Sequence, residues 1–284
     1  MKNEQCVHFL QWALPQLRMR WPGFRKVRKQ VCKRIDRHIQ ELGLAGVEEY
    51  RAYLEEHADE WQRLDSLCRI TISRFYRDKE VFAVLAEEVL PSLVHGARER
   101  GDTSLRIWSA GCGSGEEPYT LAILWVIELQ SCFPEISIDI VATDADPNIM
   151  RRCRNACYDF GSLKDLPENW RDMAFAREDD AYCVRPEYKR NIEFLEQDIR
   201  RDRPIGPFDL VFCRNLVFTY FDDALQRKIL GRITDAMHDD AALVIGIHEK
   251  LPEEAEGLLM RLDKQRIYRK SGGSLNPARS KEGV

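Results

Sequence analysis

The chain has 284 residues, 44% of them hydrophobic, which is enough for one large or two modest domains with a buried core. Its formal net charge of -4 gives no global attraction to nucleic acid or to an anionic membrane, so nucleic acid is not an expected partner. No apolar stretch approaches the roughly 20 residues that span a bilayer, and the opening MKNEQCVHFL lacks a signal-peptide pattern, so a cytoplasmic location is expected.

From Cys6 to Cys68 apolar residues recur at helical spacing: Phe9, Leu10, Ala13 and Leu17, then Val27, Val31, Ile35, Ile39 and Leu42. Pro22-Gly23 and Gly43 to Gly46 break the pattern, which predicts an all-helical N-terminal domain over residues 1–75. Within it, residues 25–37 carry Arg25, Lys26, Arg28, Lys29, Lys33, Arg34 and Arg37 with few acids. That run suits an acidic, glutamate-bearing protein surface and suits a solvated helix face equally well; it lacks the interleaved aromatics of a nucleic-acid surface. A further amphipathic stretch, with Val81, Phe82, Val84, Leu85 and Leu90, predicts a linker helix within residues 76–100.

Past Gly101, short β-rich runs alternate with helical stretches, the pattern of parallel strands joined by crossover helices. Strands are expected at 105–110, 136–143, 191–196, 208–213 and 241–247, helices at 116–130, 147–156 and 223–237, and a last, antiparallel strand near 265–269. The fold class is α/β: a Rossmann-like doubly wound sheet over 101–270, preceded by the smaller all-helical domain. Residues 271–284 read as a disordered tail of Gly, Ser, Pro and charge. The nine cysteines show no CxxC pair and no Cys/His ligand cluster, so most are expected as buried thiols in a reducing compartment. No metal is expected, although Cys153 and Cys157 stand one helical turn apart, where a soft ion would bridge them.

The first of these strands runs into Gly111-Cys112-Gly113-Ser114-Gly115-Glu116-Glu117-Pro118, small residues where the backbone turns sharply and a ligand comes close. The spacing is GxGxG rather than GxGxxG, and Glu116 and Glu117 stand where a dinucleotide fold offers helix amides to a pyrophosphate. Two carboxylates there repel phosphate, which makes a nicotinamide dehydrogenase the weakest reading. They suit a cationic nucleoside without phosphates, as S-adenosylmethionine is through its ammonium and sulfonium groups; a plain helix-dipole role for both acids is the competing account. The next strand ends Ala142-Thr143-Asp144-Ala145-Asp146, so Asp144 sits at a strand tip where a carboxylate binds a ribose diol, and Asp146-Pro147 starts the next helix.

Three segments together resemble the chemotaxis-receptor methyltransferase family, whose members methylate glutamate side chains: Arg74 to Asp78 (RFYRD), Ile107 to Tyr119 (IWSAGCGSGEEPY) and Phe208 to Asn215 (FDLVFCRN). The likeness extends over residues 21–269. It implies S-adenosyl-L-methionine as cofactor, with Thr71, Ser73, Arg77, Gly111, Gly113, Glu116, Asp144, Asp198, Ile199, Arg214 and Asn215 on the cofactor side and Arg77 and Tyr220 in catalysis. It also implies a small β-insert at about residues 166–190. Thr71 and Asp198 stand where the family has Asn, and one extra residue separates Asn215 from Tyr220. His238-Asp239-Asp240-Ala241 replaces a Pro-Gly-Gly turn, and Gly246-Ile247-His248-Glu249 replaces Gly-His-Ser-Glu.

Methyl transfer to a carboxylate needs alignment and a dry site, and no base, because glutamate is already ionised at neutral pH. The departures near the chain's end leave a small-molecule acceptor open beside a receptor-like protein, with His248 as a base for a neutral acceptor. A non-catalytic cofactor-binding signalling protein is the third reading.

Overall fold

A computed structural model describes residues 2–257, 259–262 and 264–271, and the chain divides into two compact units, Met1–Ile72 with Asn215–Gln226 and Ser73–Arg214 with Arg227–Val284. The tail expected to be disordered lies outside the described residues apart from Ser271.

The first unit holds helices α1 (Asn3–Gln16), α2 (Trp21–Phe24), α3 (Arg28–Glu41), α4 (Val47–Glu56) and α5 (Glu60–Cys68). Phe9, Leu10, Ala13, Val31, Ile35 and Ile39 are buried as their spacing predicts, and Leu14, Tyr50, Leu54 and Leu64 complete the core. Glu60 Oε1 accepts from Tyr50 Oη and lies beside His38 Nε2, both at 2.7 Å, so one partly buried carboxylate links α3, α4 and α5. The segment 215–226 belongs to this unit: Arg20 N donates to the Tyr220 carbonyl and Asp222 N to that of Arg18, both at 2.8 Å, and Arg18 Nε pairs with Asp222 at 3.0 Å. Gly23 allows that approach, because a Cβ there would lie 2.3 Å from the Thr219 carbonyl oxygen.

The second unit is built on ten strands: β1 (Ser104–Ala110), β2 (Ser137–Asp144), β3 (Cys157–Tyr158), β4 (Phe175–Glu178), β5 (Ala181–Val184), β6 (Ile192–Glu196), β7 (Phe208–Cys213), β8 (Met237–Ile245), β9 (Leu259–Arg261) and β10 (Ile267–Lys270). Seven form the main sheet in the order β6-β2-β1-β7-β8-β10-β9, and β3-β5-β4 form a small antiparallel insert. The pairs β6-β2, β2-β1, β1-β7 and β7-β8 are parallel; β10 is antiparallel to both β8 and β9. All six residues of β7 are buried, the near-continuous apolar run of a parallel strand covered on both faces. The chain leaves β1 toward β2 and β6 and returns on the other side of β1 as β7, so the order reverses at β1 and opens a crevice at the carboxyl ends of the strands.

The five parallel strands and the antiparallel β10 lie where the sequence pattern puts them. β8 starts earlier than expected, at Met237, because His238-Asp239-Asp240 continues the strand instead of turning. Edge strand β9 is too short to show as periodicity. The helical run 79–100 passes Pro91 through a π-helical turn, Leu85–Val89, and stops at Gly101 in the left-handed conformation, φ 80°.

The cysteine expectation needs correcting. Cys6–Cys32 and Cys157–Cys183 are disulfides, and Cys68, Cys112, Cys153 and Cys213 are the buried thiols, with Cys132 exposed. Both bridges join residues from different elements, α1 to α3 and β3 to β5, and spacing along the chain carries no signal of such pairings. Cys157 is therefore engaged with Cys183 rather than available beside Cys153. Among the described residues no helix is long and apolar enough to cross a membrane.

Candidate cofactor site and active site

The turn after β1 is backbone chemistry first. Gly111, Gly113 and Gly115 have φ of 73°, 57° and 95°, left-handed values that cost a side chain free energy. Gly111 N and Cys112 N both donate to the Thr143 carbonyl, at 2.8 and 3.0 Å, and Gly113 N donates to Asp144 Oδ2 at 3.1 Å. Asp144 thus fastens the turn and stands at the tip of β2. Its Oδ1 accepts from Asp146 N at 3.2 Å, and Asp146 caps the helix Pro147–Asn155 through Asn148 N at 2.8 Å. Tyr158 buttresses the turn from below, its hydroxyl donating to the Ser114 carbonyl at 2.7 Å.

Glu116 opens the helix Glu116–Leu124 and is 4% exposed, yet its Oε2 has no hydrogen-bond partner. Burial raises its pKa above the ordinary carboxyl value, opposed by a hydrogen bond with Ser73 and the charge of Arg152. A desolvated carboxylate with one oxygen unused, beside a glycine turn, fits a ligand that brings a cation and N–H donors. S-adenosylmethionine fits that donor set through its ammonium group, and a pyrophosphate does not.

Glu117 is one residue on and serves another end. Its Oε1 accepts from Ser109 Oγ at 2.8 Å and its Oε2 from Arg214 Nη1 at 3.3 Å; burial raises its pKa, and Arg214 and Ser109 oppose the rise. Arg214, 8% exposed, also donates through Nη2 to Asp78 Oδ2 and to the Arg77 carbonyl. Tyr76 and Asp78, on either side of Arg77, are both left-handed, at φ 57° and 62°. The Arg77 guanidinium stands 4.0 Å from Asp78 at Nε.

At the end of β6, both oxygens of Asp198 accept from Arg200 Nε, at 2.9 and 3.0 Å, and Ile199 is buried with its carbonyl accepting from Arg232. Gln197, which lies outside every motif of the sequence, has a buried Oε1 without a partner, and its N–H donates to the Asp144 carbonyl at 3.0 Å. No motif signalled it, because a glutamine at a strand end is unremarkable until its burial is known. His248 is exposed after β8, while Glu249 beside it turns inward and accepts from Gly246 N at 2.7 Å.

Ser73, Arg77, Gly111, Gly113, Glu116, Asp144, Asp198, Ile199 and Arg214 thus belong to the second unit, and within it Ser73 bonds Glu116 and lies beside Gly113, whose N–H is held by Asp144. Thr71, Asn215 and Tyr220 belong to the first. There Asn215 is left-handed, φ 55°, and the Tyr220 ring packs edge-on against Phe24 at 5.0 Å.

A doubly wound sheet with this glycine turn and a buried, half-used carboxylate belongs to an S-adenosylmethionine-dependent methyltransferase. Residues 71–266 match the family described as CheR methyltransferase, SAM binding domain. The chain is 34% identical over 233 residues to a probable chemotaxis protein methyltransferase of Rhizobium etli, covering 80% of this chain and 85% of that one. It is 33% identical over 208 residues to a chemotaxis protein methyltransferase of Listeria innocua, covering 73% and 76%. The chain belongs to the CheR methyltransferase family.

Proposed function

We propose that the chain methylates glutamate side chains of an acidic, chemoreceptor-like protein. The relatives' names support that acceptor, and the observation that carries it is the outer face of α3. Lys29, Lys33 and Arg37 are exposed at four-residue spacing, with Arg25 and Lys26 exposed just before the helix, while Val31, Ile35, His38 and Ile39 are buried on the other side. Arg34 is used internally on the carbonyls of Leu67 and Arg69, Arg28 reaches Asn3, and Arg37 pairs with Glu41 at 3.7 Å, so the outward charge comes chiefly from Arg25, Lys26, Lys29 and Lys33. A face of this sign attracts a surface rich in glutamates and speeds their encounter.

In this reading the free oxygen of Glu116 receives the cofactor's ammonium and Asp144 its ribose diol, while Gly111 and Gly113 let the backbone approach. Ser73 holds Glu116 in place, and Asp198, Ile199 and Arg214 support the cofactor from the strand ends. Arg77 orients a carboxylate through paired N–H donors, and Thr71, Asn215 and Tyr220 keep the parts that the family resemblance gives them. When bound, the cofactor supplies an electrophilic methyl group on a sulfonium whose charge is lost in transfer. A glutamate acceptor is already ionised at neutral pH and would need no base from the chain, whose task is alignment and exclusion of water.

Radiolabelled cofactor with a purified chemoreceptor cytoplasmic domain tests this reading: base-labile ester on glutamate is the expected product. Label appearing only in a base-stable small molecule, when cell extract is supplied, overturns it in favour of a small-molecule acceptor.

A further inference from the structure

The two adjacent glutamates of the glycine turn are bound into different structures, and only the first presents an unused oxygen. We infer that Glu117 is a positioning residue for methyl transfer, acting through Arg214 on the backbone of Arg77; this rests on the part proposed above for Arg77.

Successive helical residues diverge by about 100°, so Glu116 and Glu117 face different surroundings although they are neighbours. Behind Glu117 runs a chain of ionic hydrogen bonds joining three parts of the second unit. It starts at Ser109 on β1, passes through Glu117 to Arg214 at the end of β7, and finishes on Asp78 and the Arg77 carbonyl. The Arg214 side chain is 3% exposed, so water does not balance its charge, and Glu117 and Asp78 are its two counter-charges.

The segment held at the far end is one that would not hold itself. Tyr76 and Asp78 both adopt the left-handed conformation without being glycine, and such residues persist only where their surroundings over-determine them. On one side, Tyr76 N donates to Thr120 Oγ1 at 3.1 Å, and that hydroxyl is itself fixed on the Glu116 carbonyl at 2.6 Å. On the other side stands Arg214 Nη2, 3.1 Å from the Arg77 carbonyl oxygen. Arg77 is thus carried between two anchors, and Glu117 fixes the second by orienting the fork of Arg214. Neutralising Glu117 leaves Arg214 attached to Asp78 but free to turn.

The test uses the full chain as wild type, E117Q and E116Q, with three readouts. Calorimetry with S-adenosylmethionine gives affinity, hydrogen exchange reports the peptide covering residues 73–79, and kcat and KM are measured on a chemoreceptor cytoplasmic domain. E117Q is expected to keep cofactor affinity within about threefold, to speed exchange in 73–79 about tenfold, and to lower kcat about tenfold at nearly unchanged KM. E116Q is expected to do the opposite, losing affinity with exchange in 73–79 unchanged. Wild-type exchange and kcat in E117Q, or a loss of affinity matching that of E116Q, overturns the inference. Should the wild type leave the receptor domain unmethylated, the acceptor assignment fails while affinity and exchange still decide the role of Glu117. If E117Q does not fold, S109A removes the hydroxyl that fixes Glu117; faster exchange in 73–79 with cofactor affinity kept supports the role, and unchanged exchange refutes it.

Discussion

Replacing Glu116 by glutamine is expected to push stability and cofactor binding in opposite directions. In the free protein this carboxylate is desolvated and one oxygen lacks a partner, so its negative charge burdens the fold. Its pKa in the folded chain is raised, mainly by burial. A carboxyl so raised favours folding while protonated, and that advantage is lost as pH rises from the ordinary carboxyl range through the folded value. At neutral pH the glutamine removes the burden, and a gain of about 1 kcal/mol corresponds to a rise in melting temperature of about 2–4 °C for a chain of this size. Binding moves the other way. A hydrogen bond between charged groups contributes about 1.5–3 kcal/mol, so affinity for S-adenosylmethionine should fall by roughly 10- to 150-fold. Scanning calorimetry of the free variant and titration with the cofactor check both halves. A variant that melts lower and binds as tightly as wild type would refute the assignment, since Glu116 would then be structural.

Other perturbations follow from the same geometry. Because the bound cation needs the carboxylate form of Glu116, wild-type affinity should weaken as pH falls through the raised pKa, whereas E116Q should show a flat titration over that window. Gly115→Ala places a Cβ 3.0 Å from Tyr158 Oη at a φ of 95°, and should cost about 1–2 kcal/mol for the left-handed backbone and about 1–3 more if the buried Tyr158–Ser114 hydrogen bond breaks, read as a lower urea midpoint. Arg214→Met takes the shared counter-charge from two half-buried acids and should destabilise by up to about 3–5 kcal/mol in the same assay, partly recovered at lower pH as Glu117 takes a proton. Reversing Lys29, Lys33 and Arg37 to glutamate should raise KM for a receptor domain and flatten its salt dependence, with cofactor affinity unchanged.

The parallel core of the sheet was legible because each buried strand is an apolar run bounded by turn residues, and β7, with every residue buried, is the plainest case. The glycine turn and Asp144 were legible for a related reason: three left-handed positions admit little besides glycine, and an acid at a strand tip stands out in an apolar neighbourhood. What stayed hidden depends on contacts far apart in the sequence. The disulfides, the Tyr158 buttress and Gln197 each involve ordinary residues given meaning by partners or burial that only the fold supplies. The seven cations of 25–37 show the same boundary, since sequence counts charges but cannot tell that Arg34 is committed to carbonyls while Lys29 and Lys33 face outward.

A helix dipole does not account for the burial of Glu116 and Glu117. A carboxylate in the first turn of a helix gains typically 0.3–1 kcal/mol from the dipole, and it gains this while fully solvated. Burial adds nothing to that benefit and adds a desolvation cost of larger size, which is why the pKa of each acid is raised despite the helix end. Something other than the dipole must offset the cost. For Glu117 the compensation is Arg214 with the Ser109 hydroxyl; for Glu116 the protein supplies Ser73 and leaves the second oxygen unmatched. An acid kept buried and half satisfied in the free chain gains when a cationic donor arrives, so under the proposed reading the unmatched oxygen, more than the glycines around it, would select this cofactor over a dinucleotide.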